Sequence, residues 1–325
     1  MRKPPVTGGV PLTVFCICWP FSVRSTAQGK NAFSEVNGVY RKLFSVTGKA
    51  RKLDGGTLFG TTPRRIWSEW LSPDNDNQVE LASRVLLVQQ NGQNILVMAG
   101  SDALLAPLAP TCRCQRPAPG LLDSLARLGL AEGDIHAVVL THLHAMLAPE
   151  VRRAVNAGDA PRLLFPAARY LVGRQHWVRA SHPHPRDRAL FVAPIISQLQ
   201  SSGRLQVLDE NASEVLGEGW RLHVSDGYTP GQLLPEIEMP GGPLIFAGDL
   251  VPAMQWLALD LTTAFDRNPE CLIDEKEHLL DHLVASGGRL FLPRDPEVAL
   301  IKVCRNRQSR YQPYDHHAVL HRLDS

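Results

Sequence analysis

A chain of 325 residues that is 44% hydrophobic and 20% charged has the composition of an ordinary soluble globular protein, long enough for one large α/β domain or two average ones. Its 34 Lys and Arg against 32 Asp and Glu leave a net charge of +2, with no basic block of the kind a nucleic-acid partner requires. The cysteines, Cys16, Cys18, Cys112, Cys114, Cys271 and Cys304, are scattered, and neither C-x-C pair is matched by a second pair at zinc-ribbon spacing. They read as free thiols in a reducing compartment, with metal binding at Cys112 and Cys114 as the minor alternative.

Arg2 and Lys3, an interrupted apolar run from Val10 to Val23, and Ser25-Thr26-Ala27 have the layout of a signal peptide. Pro11, Trp19 and Pro20 break that run, so an appended segment preceding a domain that starts near Val39 is the competing reading. The first places residues 1–27 in an export signal; the second leaves the protein cytoplasmic. No stretch reaches the ~18 apolar residues of a transmembrane helix, so no membrane span is expected.

From Tyr40 to Gly60 the chain is turn-rich and weakly strand-like, with Gly55-Gly56 and Gly60-Thr61-Thr62-Pro63 as breakers. Val79 to Gln89 and Asn94 to Ala99 read as two strands, and Asn91-Gly92 between them signals a hairpin. A Pro-rich loop from Ala103 to Pro119 leads into a helix over Gly120 to Leu130, ended by Gly129. Ala137 to Leu140 is a short apolar strand running into Thr141-His142-Leu143-His144. On an extended backbone alternate side chains share a face, so His142 and His144 can converge on one point such as a metal ion. A short basic helix is expected over Glu150 to Ala157 and a strand over Arg162 to Phe165. Tyr170 to Ser181 reads as strand passing into helix, and Leu190 to Gln200 as helix. The histidines of His182-Pro183-His184 read as solvated.

Strands then recur at Leu205 to Leu208, Trp220 to Val224, Glu236 to Met239 and Leu244 to Ala247, the last ending in Gly248-Asp249. Ile273 to Ala285 carries Leu279, Leu280, Leu283 and Val284 on one side and charges on the other, a clear helix. Arg289 to Leu292 is a last strand, running into Pro293-Arg294-Asp295-Pro296. Lys302 to Arg310 reads as a solvated basic face. With no repeat and no linker, the organisation is an extension over 1–39, one domain over 40–303 and a tail over 304–325.

Thr-His-x-His after a strand, Asp226-Gly227-Tyr228-Thr229-Pro230-Gly231, Phe246-Ala247-Gly248-Asp249 and Arg294-Asp295-Pro296, in that order, resemble the metallo-β-lactamase-fold hydrolases. Leu53 to Gly60 is similar to the Leu-Asp-Gly-Gly-x-x-Phe-Gly segment of lactonase-like members. The resemblance implies an α+β fold, an αββα sandwich, with two metals at one edge of the sheets and a bridging water activated to attack an ester, lactone, amide or thioester.

Against that family's pattern the ligands are depleted. Where the loop reads His-x-His-x-Asp-His, only His142 and His144 remain, with Met146 and Leu147 in the last two ligand places. Tyr228 stands for the Gly-His-Thr-Pro histidine and Arg294 for the last histidine, while Asp249 stands for the bridging aspartate. Met98-Ala99-Gly100 replaces an acidic residue before Thr-Gly, and Met98 with Met146 points to a more apolar pocket. Asp226, before Gly227, reads as a turn cap rather than a ligand. The resemblance thus implies a homologue without the dinuclear centre, with no cofactor and at most a small-molecule ligand. The alternative is a mononuclear hydrolase holding one Zn or Fe ion on His142, His144 and Asp249, with Tyr228 as fourth ligand or oxyanion donor and Arg294 orienting an anionic substrate.

Overall fold

The computed structural model describes residues 39–101, 104, 120–145, 163–209, 213–320 and 323–324. The strands are β1 (Arg41–Thr47), β2 (Arg51–Asp54), β3 (Gln78–Leu81), β4 (Arg84–Gln90), β5 (Gln93–Ala99), β6 (Ala137–His142), β7 (Arg169–Gly173), β8 (Leu205–Leu208), β9 (Trp220–Ser225), β10 (Gln232–Ile237), β11 (Leu244–Phe246), β12 (Arg289–Phe291), β13 (Leu300–Arg305), β14 (Tyr311–His317) and β15 (Leu323–Asp324). The helices are α1 (Gly55–Phe59), α2 (Arg64–Trp67), α3 (Leu121–Arg127), α4 (Arg174–Ser181), α5 (Ala193–Ser201) and α6 (Pro269–Ser286). A large sheet runs β15-β1-β4-β5-β6-β7-β8 and a smaller one β14-β13-β12-β11-β10-β9, with β2 and β3 as a separate ribbon.

Strand alternation builds the layers. In the large sheet, Leu43, Leu86, Val88, Ile95, Val97, Val139 and Leu171 pack against Leu222, Leu233, Ile237, Phe246 and Phe291 of the small one. Their neighbours Val46, Val85, Leu87, Leu96, Val138, Leu140 and Val172 turn outward under α3 and α5, which contribute Leu121, Leu125, Ile195 and Leu199. On the small sheet's outer side, α6 buries Leu272, Leu279, Leu280 and Leu283; Asn268 caps its start and Gly287, at φ 65°, ends it. The result is the αββα sandwich the sequence implies. Among the described residues no helix is long and apolar enough to cross a membrane.

The hairpin forms as expected, with Asn91 and Gly92 both at positive φ (48° and 74°) in the turn between β4 and β5. Three expectations are corrected. The strand expected over Val79 to Gln89 is two strands, because Ala82 N and Arg84 N bond Arg294 O and Pro293 O as the chain crosses from the ribbon to the large sheet. Leu163 to Phe165 is not a strand: Phe165 is followed by a proline, and its backbone N and O both bond the Tyr170 hydroxyl. The stretch after 303 supplies β14, paired with β13, and β15, paired with β1. The Lys302 to Arg310 segment is largely exposed, as its charge suggests. The expected helix over 150–157, most of the Pro-rich loop, and Met146, Leu147, Cys112 and Cys114 lie outside the described residues; Cys271 and Cys304 are free thiols.

Candidate functional site

Parallel pairing of β5 with β6 and of β11 with β12 brings the C-terminal ends of strands from both sheets to one edge. His142 ends β6, Asp249 follows β11 through Gly248, and Arg294 follows β12. Gly248 sits at φ 54° against the side chains of Gln232 and Thr141, a backbone conformation that favours glycine and aims the next residue into the edge. The turn from Ser225 to Gly231 brings Tyr228 over the same point. It is fixed twice: Glu275 of α6 accepts from Ser225 Oγ (2.6 Å), Asp226 N (2.8 Å) and Gly227 N (3.0 Å), and Asp226 accepts from Gly231 N (2.8 Å). Asp226 is therefore the turn cap its sequence context suggests.

His142, His144, Tyr228, Asp249 and Arg294 come together, all buried. Arg294 Nε lies 3.0 Å from Asp249 Oδ1 and its Nη2 3.3 Å from Oδ2, while the same Nη2 donates to Ala99 O at 2.7 Å. His142 Nε2 is 3.0 Å from Asp249 Oδ2. Burial pushes the Asp249 carboxyl up, but Arg294 and then His142 outweigh it and hold the group far below the usual carboxylate range. Burial, reinforced by His142 and His176, holds His144 well below the usual histidine range, so it is neutral. The Tyr228 ring covers both imidazoles at 5.2 and 5.5 Å.

One residue here has no counterpart among the sequence candidates. His176, on α4, accepts from Leu143 N (2.8 Å) and donates to Pro230 O (3.0 Å), tying the histidine loop to the Tyr228 turn. Burial takes its pKa down to about 3. No spacing in the sequence marks it. His182 and His184, by contrast, are exposed.

A small pocket of about 20 Å³, the space of one water, opens above Asp249, Arg294 and Tyr228 and is walled by Leu53, Leu58, Leu81, Pro252, Trp256 and Phe265. Phe59, stacked on Trp67 and Trp256 at 5.2 and 5.0 Å, anchors the Leu53 to Gly60 segment beneath it. The apolar wall is thus built from this segment and Trp256. Met98 is not part of it, because it points the other way, into the core under the helices.

The Asp249 carboxylate already has a cationic partner. Both Asp249 oxygens are engaged by Arg294, whose fixed positive charge stands beside the carboxylate. His142, His144 and Asp249 are not among the described groups whose donor atoms all lie within 4.8 Å of one another. His144 Nδ1 is buried without a hydrogen-bond partner among the described residues, one nitrogen left open beside a closed carboxylate.

The chain is similar throughout its sandwich to known hydrolase structures. A probable metal-dependent hydrolase from Staphylococcus aureus matches at 21% identity and TM-score 0.67, covering 85% of this chain and 97% of its own. The hydrolase AbOPH of the beta lactamase superfamily matches at 16% and TM-score 0.65 (85% and 94% covered), and AidC, a dizinc quorum-quenching lactonase, at 17% and 0.62 (84% and 94%). At such identities the likeness speaks for the fold. No curated protein matches the chain. Residues 79–296 match the family model of the metallo-beta-lactamase superfamily, and the chain, which carries that family's motifs in order on that family's fold, belongs to it.

Proposed function

We propose that this protein is a hydrolase homologue of the lactonase-like branch that has lost the dinuclear metal centre and no longer hydrolyses its ancestral substrate. One observation carries the proposal: the Arg294 guanidinium grips both oxygens of Asp249 at 3.0 and 3.3 Å in a buried site. A bridging carboxylate must face two cations through those same oxygens, and a guanidinium beside them repels a metal while satisfying the carboxylate. In this reading the protein is a binding or regulatory pseudoenzyme for a small molecule, with His142, His144 and Tyr228 as packing and hydrogen-bonding residues.

The open His144 Nδ1 favours a second reading, one Zn or Fe ion held by His142, His144 and Asp249. Hydrolysis of simple lactones, esters and thioesters, with Zn²⁺ or Fe²⁺ added, separates the two. The proposal expects turnover indistinguishable from that of Asp249→Ala; metal-dependent turnover abolished by His142→Ala would refute it. Restoring the family ligands with Met146→Asp, Leu147→His, Tyr228→His and Arg294→His is expected to give partial metal uptake and weak hydrolysis at most.

A further inference from the structure

A second cluster of metal-ligating side chains lies on the other side of the small sheet. Leu222 of β9 and Leu233 and Ile237 of β10 face the inter-sheet core, so their neighbours His223 and Glu236 face outward, toward α6. In the register of these strands Leu234 pairs with His223 and Glu236 with Arg221, which makes His223 and Glu236 diagonal neighbours within side-chain reach. From α6, His282 reaches the same carboxylate. His223 Nε2 stands 2.7 Å and His282 Nε2 2.9 Å from a single oxygen, Glu236 Oε2. The two rings are 6.1 Å apart, and the three donor atoms all lie within 4.8 Å of one another.

The electrostatics favour a cation there. His223 and Glu236 are buried. Glu236 is a buried carboxylate whose Oε2 accepts from both imidazoles at once. Arg221, 3.3 Å from Glu236 Oε1, has a side chain 56% exposed, so water screens its charge. The Asp249 site differs on this point, because there the arginine is buried with its carboxylate.

We propose that His223, Glu236 and His282 form a site for a divalent transition metal, zinc by donor set, which clips α6 onto β9 and β10. Two imidazoles and a carboxylate are a zinc-type ligand trio, with water as the fourth ligand. At bond lengths of about 2.0–2.2 Å a tetrahedral ion holds its donors about 3.3 Å apart, so each imidazole need withdraw only about half an ångström. Each imidazole now presents its Nε2 to the same oxygen, the atom through which it would bind the ion. Entry is from the α6 side, where the His282 side chain is 21% exposed. A cation here would also stiffen the helix whose Glu275 holds the Tyr228 turn.

Zinc titration of the full chain after chelator treatment, followed by calorimetry and thermal melting, tests this. One equivalent is expected, with Tm raised by about 5–10 °C at a hundredfold excess over Kd. Glu236→Gln and His282→Ala should each lower the affinity at least about 100-fold, since even outer partners of a ligand matter 10–100-fold. Alanine at 282 suits a half-buried helix position, and His144→Ala should leave uptake intact. Three results overturn the proposal: no uptake by the folded chain; uptake lost in His144→Ala but kept in His282→Ala, which assigns the ion to the Asp249 site; or uptake lost in His278→Ala but kept in Glu236→Gln, which assigns it to His278 and His282, one helical turn apart on α6. Absence of uptake would leave the pseudoenzyme proposal standing, because that rests on the Asp249 pair.

Discussion

Removing the Arg294 guanidinium while keeping its bulk, as in Arg294→Met, should leave Asp249 buried with His142 as its ion-pair partner. The variant loses contacts at 3.0 and 3.3 Å to the carboxylate and 2.7 Å to Ala99 O, each between buried groups. Breaking one side of a buried ion pair costs about 3–5 kcal/mol, chiefly because the surviving charge stays desolvated. For a domain of this size that corresponds to a Tm drop of roughly 10 °C. The sign with pH follows from Asp249. Arg294 depresses its pKa in the native protein, so without it the buried carboxyl rises and takes up a proton as pH falls, and the deficit of the variant should shrink from pH 8 toward pH 4. Arg294→Met with Asp249→Leu removes both charges and should recover at least about 2 kcal/mol of the loss, because an apolar pair of similar volume replaces a buried ion pair at little net cost. Urea unfolding with unchanged m-values measures all three chains. A single variant within about 1 kcal/mol of the parent, or a double variant no better than the single, would refute the pairing as the determinant of this site.

Two further outcomes follow from residues around that edge. A Cβ on Gly227 would lie 2.4 Å from Leu272 Cα and 2.6 Å from its N, so Gly227→Ala should push the Tyr228 turn off α6 and cost at least about 2–3 kcal/mol in urea unfolding; an unchanged midpoint refutes the contact. Asp266 is buried with its carboxyl pushed up from 3.8 to about 6 by burial, against hydrogen bonds from Thr263. The unfolded chain therefore releases this proton first, and as pH rises from 4 to 6 the native state should lose on the order of 2–3 kcal/mol that Asp266→Asn does not lose; parallel stability curves for the two proteins count against it.

The fold was legible because its motifs sit at strand ends, where a change from apolar to polar residues is easy to see. His142, Asp249 and Arg294 belong to strands whose parallel pairing delivers their ends to one edge, so an order of motifs translates into a place. Tyr228 followed from its position in the turn. His176 did not, because its two hydrogen bonds go to backbone groups, at Leu143 and Pro230, that no residue type announces. β14 was missed for a related reason. Tyr311 to His317 is mostly exposed on an edge, and its polar residues carry no alternation to read. The trio of His223, Glu236 and His282 was equally hidden, since its members lie on two strands and a helix and only the register of β9 on β10 brings the first two together.

Where a fold holds a metal ion, it exchanges that ion with its surroundings, and its integrity is set by supply, by competing chelators and by the metals a compartment happens to contain. Arg294 is joined to the chain. Its positive charge arrives with translation, at the same time and in the same number as Asp249, and cannot be stripped or replaced by the wrong element. On the proposed reading, an equilibrium with the environment has at this edge of the sandwich become a property of the sequence.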